Sequence, residues 1–223
     1  YTESHSLFSK GKNLSGTTDC YAGIGLVYYF RGEWRNCIRY LMLTAEYEKQ
    51  TNDEEGLPET YFNIGCAYYK LGLSDSARHF YKLAETIAER TKNNRVLSAT
   101  CNNFGEIALD EKKYTTALQY FQRSIEFKKQ LGYFEGMGEN YINLGKLYME
   151  TGNTGKAIDY VTSGIEYCRR YHANEDQANG YLVLSQLYEK SGNDVASLMA
   201  YKKYVKINDT LNNLRFAGQV AEW

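Results

Sequence analysis

The chain has 223 residues, 43% hydrophobic and 24% charged, with a formal net charge of −1. This composition excludes wholesale disorder, and the balance of charge leaves no electrostatic footprint for nucleic acid and no polybasic patch for a membrane surface. A single proline, Pro58, puts few obstacles in the way of helix, and 22 tyrosines supply many amphipathic packing positions.

In chain order, five segments fall into one register. They are YAGIGLVYYFRGEW from Tyr21, YFNIGCAYYKLGLS from Tyr61, CNNFGEIALDEKKY from Cys101, YINLGKLYMETGNT from Tyr141 and YLVLSQLYEKSGND from Tyr181, each forty residues after the last. Gly25, Gly65, Gly105, Gly145 and Ser185 coincide. Apolar residues recur four before, one before and three after that small residue, which marks one face of a helix, helix A. Seven residues past it come Gly32, Gly72, Gly152 and Gly192, with Lys112 in the third copy, where a left-handed residue would end the helix. A second periodic segment, helix B, then carries a small residue (Cys37, Ala77, Ala117, Ala157, Ser197) and, four later, a large one (Leu41, Tyr81, Phe121, Val161, Tyr201). Glycine inside helix A costs about 1 kcal/mol in propensity, so its recurrence implies close approach of helix B.

The same register covers both ends. Tyr1 falls in step with Leu41, Tyr81, Phe121 and Val161, so residues 1–17 are expected to be helix B of a preceding repeat cut inside a longer array. The five repeats are expected at 18–57, 58–97, 98–137, 138–177 and 178–209, as one solenoid over 1–223. Residues 210–223 are expected to form a capping helix over the last apolar face. The longest apolar run, Cys20–Phe30, is too short for a bilayer, which needs about 20 residues.

The pattern Tyr-x-x-Leu-Gly-x-x-Tyr, followed by Gly-x-Tyr/Trp-x-x-Ala-Ile/Leu-x-Tyr-Tyr/Phe, resembles the tetratricopeptide repeat. GKLYMETGNTGKAIDYV (Gly145 to Val161) and GEIALDEKKYTTALQYF (Gly105 to Phe121) match closely, and the resemblance covers nearly the whole chain. The family's usual period is 34, and forty departs from it by longer helices. The resemblance implies an all-α fold, a right-handed α-solenoid of helix-turn-helix repeats. HEAT repeats share a similar period but would be expected to use proline in helix A.

In that family helix A lines the concave surface, which makes its inner face the candidate peptide site. Asn63, Asn103 and Asn143 stand two before the small residue in the three middle repeats, and each amide offers a donor and an acceptor to an extended peptide. Tyr29, Tyr69, Lys70, Glu106 and Lys146 lie further along the same face. The alternatives for the asparagines are bonding to neighbouring helix ends or membership of the family's common Asn-Leu-Gly pattern, and for each charge a solvated helix face; all stay open. No carboxylate clamp of the chaperone-binding kind is evident.

No catalytic residue, metal site or cofactor is expected. The histidines (His5, His79, His172) are far apart, the five cysteines show no CxxC, and GxSxG and P-loop motifs are absent. Gly23-Ile-Gly25 and Gly136-Met-Gly138 lack the strand that a dinucleotide fingerprint needs. Near the end, Tyr201, Tyr204, Asn208, Asp209, Thr210 and Leu211 resemble the closing repeat of bacterial sensor proteins, where a further helix leads to a membrane span and then a histidine kinase or a DNA-binding regulator. That resemblance implies a non-catalytic protein- or peptide-binding sensory input domain on the periplasmic side of a membrane-anchored protein. The alternative is a cytoplasmic scaffold or peptide receptor, which five unpaired thiols favour. An enzyme ranks last.

Overall fold

A computed structural model of the chain describes residues 14–134 and 136–221. Those residues form ten α-helices and no strand: α1 Leu14–Phe30, α2 Trp34–Thr51, α3 Leu57–Lys70, α4 Ser74–Thr91, α5 Asn94–Asp110, α6 Tyr114–Gln130, α7 Met137–Glu150, α8 Thr154–Arg170, α9 Asn174–Lys190 and α10 Asp194–Ala221. Odd-numbered helices are of the A type and even-numbered of the B type. The segment expected as a truncated helix B, 1–17, lies outside the described residues up to residue 13, and from Leu14 the chain is already in α1. Residues 210–221, expected as a separate cap, continue α10 without a break.

Every A-to-B turn closes the same way. Gly32, Gly72, Gly152 and Gly192 have φ between 73° and 79°, and Lys112 takes the equivalent place at φ 58°. The amide one residue later reaches back across the turn, Leu73 to the Tyr68 carbonyl at 3.0 Å and Lys113 to that of Ala108 at 2.8 Å. This is the six-to-one bond that satisfies an orphan carbonyl at a helix end. A second left-handed residue recurs at the B-to-A turns, at Asn52, Lys92, Gly132 and His172. The helix-A starts alternate, with α1, α5 and α9 beginning at 14, 94 and 174, and α3 and α7 at 57 and 137. The later starts are those preceded by Gly56 and Gly136, so two successive pairs make a longer structural period of eighty residues.

The contacts group the chain into two compact units, residues 1–107 and 108–223, divided inside α5. In the first unit Leu41, Ile64, Ala77, Tyr81, Ala84 and Cys101 are buried to 1% exposure or less. A Cβ placed on Gly65 would lie 2.5 Å from the Tyr81 ring, so the small residue on helix A is the seat of the large one on helix B. In the second unit Phe121, Ile125, Leu144 and Leu147 form one cluster, and Ile142, Val161, Ile165, Cys168 and Leu187 form another. There Gly145 seats Val161 in the same way.

Stacked aromatic rings brace three of the five helix pairs. Tyr28 stacks on Tyr40 in the first pair, Tyr68 on Phe80 in the second and Tyr148 on Tyr160 in the fourth. Their centroids are 5.3–5.5 Å apart with planes within 14°. Offset stacking of this kind adds about 0.5–1.5 kcal/mol per pair beyond area burial.

Candidate functional site

The helix-A face carries the polar side chains that the packing does not consume. In the first unit the side chains two before and one after the seat glycine form two rows, Gly23–Asn63–Asn103 and Leu26–Cys66–Glu106, on α1, α3 and α5. Asn63, Cys66, Asn103 and Glu106 are all half-buried. Asn103 is held by the neighbouring pair: its Nδ2 donates to the Tyr81 hydroxyl at 2.8 Å and to Cys66 Sγ at 3.3 Å. The Tyr81 hydroxyl in turn donates to Cys66 Sγ at 3.6 Å. Burial, then the adjacent Cys66 and, more weakly, Glu106 hold the Tyr81 phenol well above its usual range, while the Asn103 bond acts against them. The phenol therefore stays protonated, and the three side chains form a fixed polar seam between α3, α4 and α5.

The other residues expected on this face differ in role. Tyr29 packs edge-on against Trp34 at 4.9 Å and is engaged by the first turn. Tyr69 is half-buried. Lys70 is exposed in the last turn of α3, where a cation meets the negative end of the helix dipole.

In the second unit Asn143 is 1% exposed, and Lys146 Nζ donates to its Oδ1 at 3.3 Å. The buried charge here is Lys128 on α6, whose Nζ donates to the Gly136 carbonyl at 2.6 Å and to Asn140 Oδ1 at 2.5 Å. Burial first and then Glu139 push the Asp176 carboxyl on α9 up to about 6, with Lys128 opposing. The three asparagines are thus not equivalent rungs. Asn63 is half-buried on the face, Asn103 has its N–H groups committed inward, and Asn143 is enclosed.

Spacing alone did not reveal Cys66, the Tyr81 hydroxyl, Lys128 or Glu48. A usable signal existed for the last two. At forty-residue steps the same buried helix-B position holds Glu48, Ala88, Lys128 and Cys168, so two charges stand where apolar residues would be expected. Both meet a polar residue twelve positions on, Thr60 donating to Glu48 Oε1 and Asn140 accepting from Lys128.

Burial raises the Cys37 thiol to about 11, and burial with nearby Asp176 and Glu139 raises that of Cys168 to about 12, so both stay protonated and unreactive at neutral pH. Among the described residues no group of three or more His, Cys, Asp or Glu is placed to hold a metal ion, and no helix is long and apolar enough to cross a membrane.

The tetratricopeptide repeat model matches residues 58–91, 98–131 and 138–171, which are the pairs α3–α4, α5–α6 and α7–α8. The chain is a tetratricopeptide-repeat protein. No curated protein matches its sequence. Among solved structures, this tetratricopeptide-repeat chain is similar to BtubC from P. vanneervenii, at 17% identity and a TM-score of 0.72 over 95% of this chain and 87% of that one. It is similar to a Rap protein complexed with competence and sporulation factor, at 17% identity and a TM-score of 0.77 over 84% and 52%. It also resembles a signal transduction ATPase with a tetratricopeptide repeat sensor from Pyrococcus horikoshii, at 19% identity and a TM-score of 0.69 over 92% and 32%. At these identities the likeness bears on the fold, which is the all-α solenoid class of repeat that the resemblance implied.

Proposed function

We propose that this tetratricopeptide-repeat protein is a non-catalytic binding module that takes an extended peptide or protein segment across the helix-A face, and that it serves as the sensory input of a signalling protein. The observation that carries the proposal is the half-buried polar row of the first unit. Asn63 and Asn103 stand at one register and Cys66 and Glu106 at a second on the A helices α3 and α5, and Asn103 is fixed by Tyr81 before any ligand arrives. A pre-set polar group on a rigid helix loses little entropy on binding, and each added hydrogen bond contributes about 1 kcal/mol net. The Rap likeness supports a peptide as the ligand, since that structure holds a competence and sporulation factor, and the ATPase likeness supports a sensor role.

Asn63, Asn103, Tyr69, Lys70 and Glu106 are the contact residues proposed in the first unit. Tyr29, engaged by Trp34, lies at the edge of that face, and in the second unit Lys146, which donates to Asn143, is the residue proposed to reach a ligand. The test is retention of short extended peptides by the wild-type chain and by a variant carrying Asn63→Ala and Asn103→Ala together. Retention should fall at least tenfold, the loss of two bonds of about 1 kcal/mol each, with the helical circular dichroism unchanged. Equal retention by the two would rule the row out as the binding face.

For the setting, we propose the input region of a bacterial membrane-bound signalling protein or transcriptional regulator. The free thiols at Cys20, Cys37, Cys66, Cys101 and Cys168 favour a second setting, a peptide receptor in a reducing compartment. Reading the gene past Trp223 separates them. An apolar run of about 20 residues followed by a kinase or helix-turn-helix pattern selects the first, and a further soluble module selects the second.

A further inference from the structure

The last helix does not turn where its predecessors do. A left-handed residue follows α2, α4, α6 and α8, at Asn52, Lys92, Gly132 and His172, and a further A helix begins after each. Forty residues on, Asn212 lies inside α10, which runs on as one helix to Ala221. The side of α10 that a following A helix would cover is therefore open. Tyr201 is 47% exposed there, whereas Leu41, Tyr81, Phe121 and Val161 at the same register are buried to 1% or less.

That open side is apolar at its centre and charged at its two ends. Leu198 is 54% exposed. Val195 and Tyr201 stand three residues either side of it, and Asp194 and Lys202 four either side, so all five share one face of the helix. Val195 is 69% exposed, and the earlier B helices carry Arg35, Asp75, Thr115 and Gly155 at its position, all exposed. The repeat itself thus gives no reason for an apolar residue there. Asp194 and Lys202 are exposed, and among the described residues neither makes an ion pair.

We infer that this face of α10 is where two copies of the chain pair, antiparallel and two-fold symmetric about Leu198. Such symmetry sets each side chain level with the one equally far beyond Leu198 on the other copy. Val195 then meets the partner's Tyr201, and Asp194 meets the partner's Lys202. Four residues are about 6 Å of helix, so the contact runs over roughly 12 Å of α10. A parallel pair would set Asp194 against Asp194 and Lys202 against Lys202, and that repulsion selects the antiparallel arrangement. Five side chains make a smaller surface than the usual 800 Å² or so per partner, so the dimer is weak and reversible. The pairing is independent of peptide binding on the helix-A face.

The experiment is sedimentation equilibrium of the full chain from about 5 μM to about 500 μM. The average mass should rise from monomer to a plateau at dimer. Leu198→Arg, which copies Arg78 at the same register of α4, should weaken the dimer at least tenfold. Should that variant lose helical circular dichroism, Val195→Asp copies Asp75 and should act alike. Asp194→Lys or Lys202→Asp alone should weaken pairing about tenfold, since two-fold symmetry makes each change count twice. The two together should restore it.

A monomer at every concentration, or a dimer that Leu198→Arg and Val195→Asp both leave intact, overturns the inference. So does a mass that climbs past the dimer without a plateau, the mark of an open head-to-tail stack. A double reversal that fails to restore pairing overturns it as well.

Discussion

Gly65 and Tyr81 are matched surfaces: a Cβ on Gly65 would lie 2.5 Å from Cδ1 and Cε1 of the Tyr81 ring and 3.3 Å from the Ala77 carbonyl. The ring cannot yield, because Phe104 meets it edge-on from the next pair at a centroid distance of 5.7 Å and Tyr81 is fully buried. Alanine at 65 gains about 1 kcal/mol of helix propensity but overpacks the seam by about 1–3 kcal/mol. Gly65→Ala should therefore lower the stability of the chain by up to about 2 kcal/mol in urea unfolding. Because Tyr81 orients Asn103, it should also weaken peptide retention.

Glu48 makes the first unit sensitive to pH. Its side chain is buried, Thr60 donates to Oε1, and Oε2 has no partner. Burial, reinforced by Asp53 and Asp19 and opposed by the Thr60 bond, raises the carboxyl from 4.5 to about 7. The folded state thus holds a proton that the unfolded chain releases earlier. This stabilising contribution is complete below pH 4.5 and is lost as pH rises to about 7. Glu48→Gln should gain about 2 kcal/mol at pH 8 and be nearly neutral near pH 4, measured by thermal melts across that range. A gain that does not depend on pH would contradict the assignment.

Lys128 closes the turn between α6 and α7. Lys128→Met keeps much of the volume but removes the donor to the Gly136 carbonyl and to Asn140 Oδ1, and Asn140 is completely buried. An acceptor stranded there costs about 1–3 kcal/mol, and the loss of stability should fall in that range. Loss of the nearby cation should also raise the Asp176 carboxyl above about 6, visible by carboxyl NMR. An Asp176 titration that moves down would contradict the placement of Lys128.

Lys112 is the one A-to-B turn residue of its set that is not glycine, and it holds φ 58°. A side chain in the left-handed region costs about 1–2 kcal/mol. Lys112 is exposed, so glycine there loses no packing. Lys112→Gly should raise stability by about 1 kcal/mol, less the extra entropy of glycine in the unfolded chain.

The repeat was legible in the sequence because its cause is local and recurs. Gly65 and Gly145 seat Tyr81 and Val161, and the turn residues adopt left-handed backbone where glycine stands at 32, 72, 152 and 192. The eighty-residue alternation was not legible from a forty-residue alignment, since it lies in the helix-A starts that Gly56 and Gly136 precede. Less of the site could be read, for a physical reason. Spacing places Asn63, Asn103 and Asn143 in one register, but their chemistry depends on residues from other helices. Tyr81 turns the Asn103 amide inward, while Asn143 is 1% exposed beside Lys146. Identical residues at identical register offer a ligand different atoms. Lys128 and Glu48 show the converse, as a charge at a core position becomes intelligible only once its partner twelve residues on is seen.

The most direct test of peptide recognition by the helix-A face is a map of amide NMR shifts on titrating the chain with a pool of short extended peptides. Saturable shifts are expected to concentrate at Asn63, Cys66, Asn103 and Glu106, with the Asn103 side-chain amide among the largest. Shifts confined to the exposed helix-B residues Met42, Glu46 and His79, or none at all in the folded chain, would contradict it.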